Sequence, residues 1–139
     1  MLEGDVRSLP LPERAFDVVW CRLVLGYVPD LQVAFAELAR VSAAGASLIV
    51  TDFHPAALAA GHRRTFRHGE RVFELLTFPH TADALIACAQ LAGFGLRSVV
   101  EANVGPEVRQ LYVQAGHEAR YREQEGEPLV LGLSFTRDA

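Results

Sequence analysis

The chain contains few of the residue patterns that mark a metal, membrane or nucleic-acid protein. Among 139 residues there are only two cysteines, Cys21 and Cys88, and neither belongs to a C-x-x-C pair. That spacing offers no zinc or redox motif, and no metal is expected. Both thiols lie among apolar residues and read as buried, which fits a reducing, cytoplasmic setting. There is no basic excess. The formal net charge is −4, the opposite of a nucleic-acid footprint. No apolar run approaches the roughly 18 residues that a membrane span requires. The opening Met1-Leu2-Glu3-Gly4-Asp5 is acidic and lacks the basic-then-apolar pattern of a secretion signal. Repeats and low-complexity tracts are absent. So is a glycine-rich loop able to cradle phosphates, which argues against a nucleotide-binding domain of the ordinary Rossmann kind.

What is present suits one α/β domain over residues 1–139. Half of the chain is apolar, enough for one core. Phe16-Asp17-Val18-Val19-Trp20-Cys21 is a short apolar run with β-branched and aromatic residues, expected to be a strand buried on both faces. Asp30 is a good N-cap, and Leu31, Ala34, Phe35, Leu38 and Val41 then recur at helical spacing. Glu37 and Arg40 can pair at i,i+3 on the other side of that helix. Gly45 suits its left-handed closing position, and Ser47 to Asp52 is the next buried strand. Strand, helix, strand is a βαβ unit with a right-handed crossover.

Past His54-Pro55, the alanine-rich stretch Ala56-Ala57-Leu58-Ala59-Ala60 predicts a short helical turn, and Arg64 to Glu74 a hairpin turning at Gly69. Thr81 caps a helix over Ala82 to Leu91, closed by Gly93. Leu96 to Glu101 is a strand. Pro106 opens a third helix with Val108, Leu111, Tyr112 and Ala115 on one face. The polar stretch His117 to Glu127 reads as a surface loop, and Leu129, Leu131, Leu133 and Phe135 alternate through a final strand.

Three segments together carry a resemblance. They are Gly4-Asp5-Val6 with Leu9-Pro10-Leu11-Pro12 and Phe16-Asp17-Val18-Val19, then Ala39-Arg40 with Ala43-Ala44-Gly45, then Leu48-Ile49-Val50-Thr51-Asp52. This pattern resembles the middle of a class I S-adenosylmethionine-dependent methyltransferase, of the type 11-like kind. A weaker likeness continues through His54-Pro55, His80 and Ala92-Gly93-Phe94. Ala44 and Ala46 stand where that family usually has proline and a second glycine. The resemblance implies a Rossmann-like sheet truncated to strands four to seven, out of an order 3-2-1-4-5-7-6 with the seventh antiparallel. Residues 1–52 would then be the cofactor-side βαβ core and 53–139 the substrate-side and C-terminal part. The family's glycine loop and ribose-binding acid find no counterpart here.

The implied activity is methyl transfer from S-adenosylmethionine to a small-molecule nucleophile in the complete protein. By resemblance, Asp5 accepts a hydrogen bond from the adenine amino group, and the Val6 backbone N–H meets an adenine ring nitrogen. Cys21, Arg22 and Leu23 fall in the loop under the methionine end. Each also has a plain alternative: a turn for Asp5, packing for Cys21, solvation for Arg22. Tyr27 lies near the presumed substrate mouth or covers the core. Gly26 stands where the family often has histidine. His54, at the end of a central strand, reads as a base or as the cap of the turn before Pro55. His80 and Glu101 are candidates for substrate contact. His62, Arg63, Arg64, Arg67, His68 and Arg71 form a basic run that meets an anionic substrate or is a solvated hairpin.

One physical consequence follows. A Phe16–Cys21 strand without its family neighbour leaves an open edge that invites pairing with another chain. The second expectation is therefore a non-catalytic half-domain that dimerises or pairs with a complementing chain.

Overall fold

A computed structural model describes all residues from Met1 to Ala139. Four strands form the main sheet: β1 (Phe16–Arg22), β2 (Ser42–Phe53), β5 (Phe94–Asn103) and β6 (Pro128–Arg137), in the order β1-β2-β6-β5. β1 and β2 are parallel, and β6 is antiparallel to both β2 and β5. This is the 4-5-7-6 order that the resemblance implies. β3 (Thr65–His68) and β4 (Arg71–Glu74) make the separate hairpin around Gly69. The helices are α1 (Leu31–Val41), α2 (Pro55–Ala59), α3 (Ala82–Leu91), α4 (Pro106–Gln114) and α5 (Glu118–Gln124).

Local chemistry explains the helix starts. The Asp30 carboxylate accepts from the N–H groups of Gln32 and Val33, and Thr81 Oγ1 accepts from Ala84 N–H. Each satisfies donors that a helix leaves orphaned. α1 and α3 then cover one face of the sheet. Leu31, Ala34, Phe35 and Leu38 meet Leu48, Val50, Leu133 and Phe135, with Leu85, Ala89 and Phe94 completing the cluster. Phe135 is packed edge-on by Phe35 at 6.3 Å and tilted against Phe94 at 6.4 Å. Burial of each such ring contributes about 1.5–3 kcal/mol.

Four expectations are corrected. β1 is buried on one face only. Cys21 points into the core, whereas Val18 is 64% and Trp20 59% exposed on the face that no helix covers. Gly45 does not close α1. The helix ends at Val41, where Ser42 N–H and Oγ both bond Leu38 O. Gly45 instead takes φ +76° inside β2, where the ladder jumps from Phe16–Ser42 to Val18–Ser47. A left-handed residue in a bulged strand favours glycine. The polar stretch after His117 is not a loop. It contains α5, because one apolar residue in it, Tyr121, is buried and its ring meets Tyr112 at 5.6 Å. Finally, Glu101 does not end its strand, which runs on to Asn103.

Candidate functional site

β1 and β2 deliver their carboxyl ends to one side of the sheet, and a strained turn follows β1. Leu23 adopts φ +55°, a conformation that costs a non-glycine residue about 1–2 kcal/mol. Two bonds hold it there: its N–H donates to Thr51 O at 2.7 Å, and its carbonyl accepts from Arg64 Nη1 at 3.1 Å. A single 3-10 turn, Leu25–Tyr27, comes next. Asp52, only 8% exposed, fastens it: Oδ2 accepts from Gly26 N–H at 2.7 Å and Oδ1 from Phe53 N–H at 2.8 Å. A Cβ at position 26 would lie 3.2 Å from Asp52 Oδ1. Glycine is therefore what lets the turn approach the carboxylate.

The N-terminal segment lies against this turn because α1 clips it in place. Glu37 Oε1 accepts from Leu9 N–H at 2.6 Å, while Arg40 donates to Leu9 O and Leu11 O. Glu37 and Arg40 also bond each other at 2.7–2.8 Å. The segment that this pair holds is not legible in the i,i+3 spacing that predicts the pair. Its unused donors and acceptors serve the segment that carries Asp5.

Together these contacts build an open cleft of about 540 Å³, lined by Asp5, Val6 and Arg7 on one wall and Val24, Tyr27 and Val28 on the other. Arg7 grips Asp5: its N–H and Nε reach Oδ1 at 2.9 Å, Nε is shared with Oδ2 at 3.2 Å, and Nη2 reaches Oδ2 at 2.6 Å. The guanidinium beside Asp5 holds its carboxyl down at about 2. The group is thus a fixed anion; Oδ1 already accepts two donors, and Oδ2, with one short donor and a longer one shared with Oδ1, keeps the greater acceptor capacity. Val6 N–H donates to no protein group. The Tyr27 hydroxyl is buried with no partner. Burial raises its pKa, with Arg64 opposing and Asp52 adding to the rise. A free N–H and a fixed carboxylate suit the edge of a polar heteroaromatic ring.

The other sequence candidates fall elsewhere. Cys21 has its side chain in the core, where burial, aided by Asp52, pushes the thiol up to about 12. Only its backbone can serve a ligand. Arg22 lies over the exposed Trp20 ring at 5.6 Å. Neither Arg22 nor Leu23 lines the cleft; Val24 and Val28 do, brought round by the 3-10 turn. His54 caps α2: its Nδ1 accepts from Ala56 N–H at 3.1 Å. Nε2 therefore carries the hydrogen and faces Glu101 Oε1 at 3.2 Å. Both ring nitrogens are engaged, which leaves no free base. His80 Nε2 donates to Val28 O at 2.8 Å and faces a void of about 10 Å³ beside Gly26 and Asp52. Of the basic run, Arg63 pairs with Glu74 at 3.3 Å and the hairpin strands are exposed. His62 packs on Phe53 at 4.6 Å, and Arg64 turns inward, its guanidinium 4.6 Å from the Tyr27 ring and 5.2 Å from Phe53. Periodicity could not single it out, since its neighbour Arg63 is equally basic.

No helix is long and apolar enough to cross a membrane. Residues 1–50 match the family described as methyltransferase domain. The chain is 41% identical over 54 residues to demethylmenaquinone methyltransferase of Thermus thermophilus, covering 39% of this chain and 24% of that protein. It is 40% identical over 48 residues to malonyl-[acyl-carrier protein] O-methyltransferase of Serratia marcescens, covering 34% of this chain and 19% of that one. These alignments span about a quarter or less of the curated relatives' length. Among solved structures, an S-adenosylmethionine-dependent methyltransferase from Listeria monocytogenes superposes with TM-score 0.71 at 17% identity, over 98% of this chain and 68% of that one. Another, from Mesorhizobium loti, gives 0.66 at 19% identity, over 96% and 68%.

Proposed function

We propose that the chain belongs with the class I S-adenosylmethionine-dependent methyltransferases, and that the whole protein moves a methyl group to a nucleophile on a small molecule. The observation that carries this reading is the meeting of Asp5 and Val6 with Tyr27 in one cleft at the carboxyl end of β1. Ligands of open α/β sheets bind at that end of the strands.

Bound S-adenosylmethionine supplies an electrophilic methyl group on a sulfonium. In this reading Asp5 accepts from the adenine amino group and Val6 N–H donates to a ring nitrogen. Val24 and Val28 exclude water along the apolar side of the cleft. Transfer then depends mainly on holding the two reactants in line. Tyr27, which lines the cleft with its ring against Arg64, is proposed to position the acceptor. His54 is assigned the helix cap rather than a proton-transfer role. The test is calorimetric titration of the chain with S-adenosylmethionine and S-adenosylhomocysteine. Weak binding that falls by at least about tenfold in Asp5→Ala is expected, since a charged hydrogen bond contributes about 1.5–3 kcal/mol. Absence of binding at millimolar ligand would reject the reading for this chain.

A second reading has its own observation. β1 is an edge strand, and Val18 and Trp20 lie exposed beside it. An open parallel edge next to an apolar face suits pairing with a second copy or a complementing chain.

A further inference from the structure

A second concavity lies beyond the Asp5 cleft, and its walls come from elements far apart in sequence. An open groove of about 300 Å³ runs between α4–α5 and the carboxyl end of β2. Phe53, Leu111 and Tyr112 give it an apolar floor. Its titratable side chains, other than the tyrosine, are His62, His117 and Arg120; no aspartate or glutamate lines it. Leu111 remains 63% exposed, and α4 buries no residue fully.

Charge on the groove's own lining is one-sided, although the chain as a whole is acidic and Glu127 lines the adjoining void that shares His62. Arg63 has Glu74 as a partner, but Arg64 and Arg120 take part in no ion pair. Burial, then the fields of Arg120, Arg64 and Arg63, holds the His62 imidazole below its ordinary value. Cations that converge without a counter-charge on a partly desolvated wall are relieved by an anion. Arg64 stands between the groove and the cleft already described. The Arg64 guanidinium lies over both Tyr27 and Phe53, and the Phe53 ring is 4.6 Å from that of His62. Tyr27 belongs to the Asp5 cleft and Phe53 to the groove.

We propose that this groove binds the methyl acceptor, and that the acceptor is an amphipathic anion: an apolar body bearing a carboxylate. The body lies on Phe53, Leu111 and Tyr112, and the carboxylate meets Arg120 with His62 and His117 at the rim. Calling the ligand an acceptor rests on the methyl-transfer reading; its chemical class rests on the groove alone.

The test uses the whole 139-residue chain without cofactor, with octanoate as probe and octanol as its neutral counterpart. Binding is followed through the ring resonances of His62 and His117. Saturable shifts with octanoate are expected, with octanol at least about tenfold weaker, since a hydrogen-bonded charge is lost. Arg120→Glu should weaken octanoate by about tenfold or more. Arg122→Glu, two positions along the same helix and so on another face, should leave affinity within about twofold. Leu111→Ser, at an exposed site that folding tolerates, should weaken both probes. Equal affinity for octanol, unchanged octanoate binding in Arg120→Glu, or no shift up to the solubility limit would overturn the proposal. Titration with S-adenosylhomocysteine is read separately. Its failure beside intact octanoate binding removes the methyl-transfer reading and leaves the groove's ligand class standing.

Discussion

Asp5 is exposed yet ionises at about 2, because its own neighbour Arg7 holds it through side chain and backbone. The linkage has a definite sign. The folded value lies below the usual 3.8, so the pair's contribution is complete above that value and is lost as pH falls through about 2. In Arg7→Gln the carboxyl should titrate back towards the ordinary aspartate range, read from its side-chain carbon shift in NMR. An unchanged midpoint would mean that Arg7 is not the cause. The sequence made Asp5 and Val6 visible because they follow Gly4 in a recognisable motif. It hid the role of Asp52, whose bond from Gly26 N–H forms only once β2 lies beside the turn after β1.

At the scale of elements, α1 does two jobs with opposite faces. Its apolar face closes the core, and its polar face, through Glu37 and Arg40, ties down residues 9–11. Glu37→Ala removes the acceptor for Leu9 N–H and leaves Arg40 unpaired. It should cost about 1–3 kcal/mol in urea unfolding. Amide exchange at Leu9 should quicken, and S-adenosylhomocysteine affinity should fall, because Asp5 loses its anchor. Unaltered exchange at Leu9 would show that the clip does not hold the segment. Periodicity exposed this helix and its cap plainly. The same method missed α5, whose single buried residue, Tyr121, gives no repeat to detect.

Over the whole molecule the sheet is covered on one face and open on the other. Val18, Trp20 and Val100 lie exposed, at the open edge or on the uncovered face. If the pairing reading holds, light scattering at micromolar concentration should give a dimeric mass, and Trp20→Lys should return it to the monomer. A charge placed on an edge strand is the usual means by which natural sheets block such pairing. A wild-type monomer would reject self-association through this edge and leave pairing with a different chain.

The sequence by itself determined the βαβ unit, the caps at Asp30 and Thr81, the alternating final strand and the family resemblance. Those features depend on residues near one another along the chain, where spacing alone reports periodicity and capping. Tertiary structure decided which charged groups matter. Arg64 leaves the basic run for the gap between Tyr27 and Phe53, His54 becomes a cap facing Glu101, and His62 and Arg120 share one groove. These contacts join residues tens of positions apart. They exist only after burial of the core has fixed where the strands end, which no local pattern encodes.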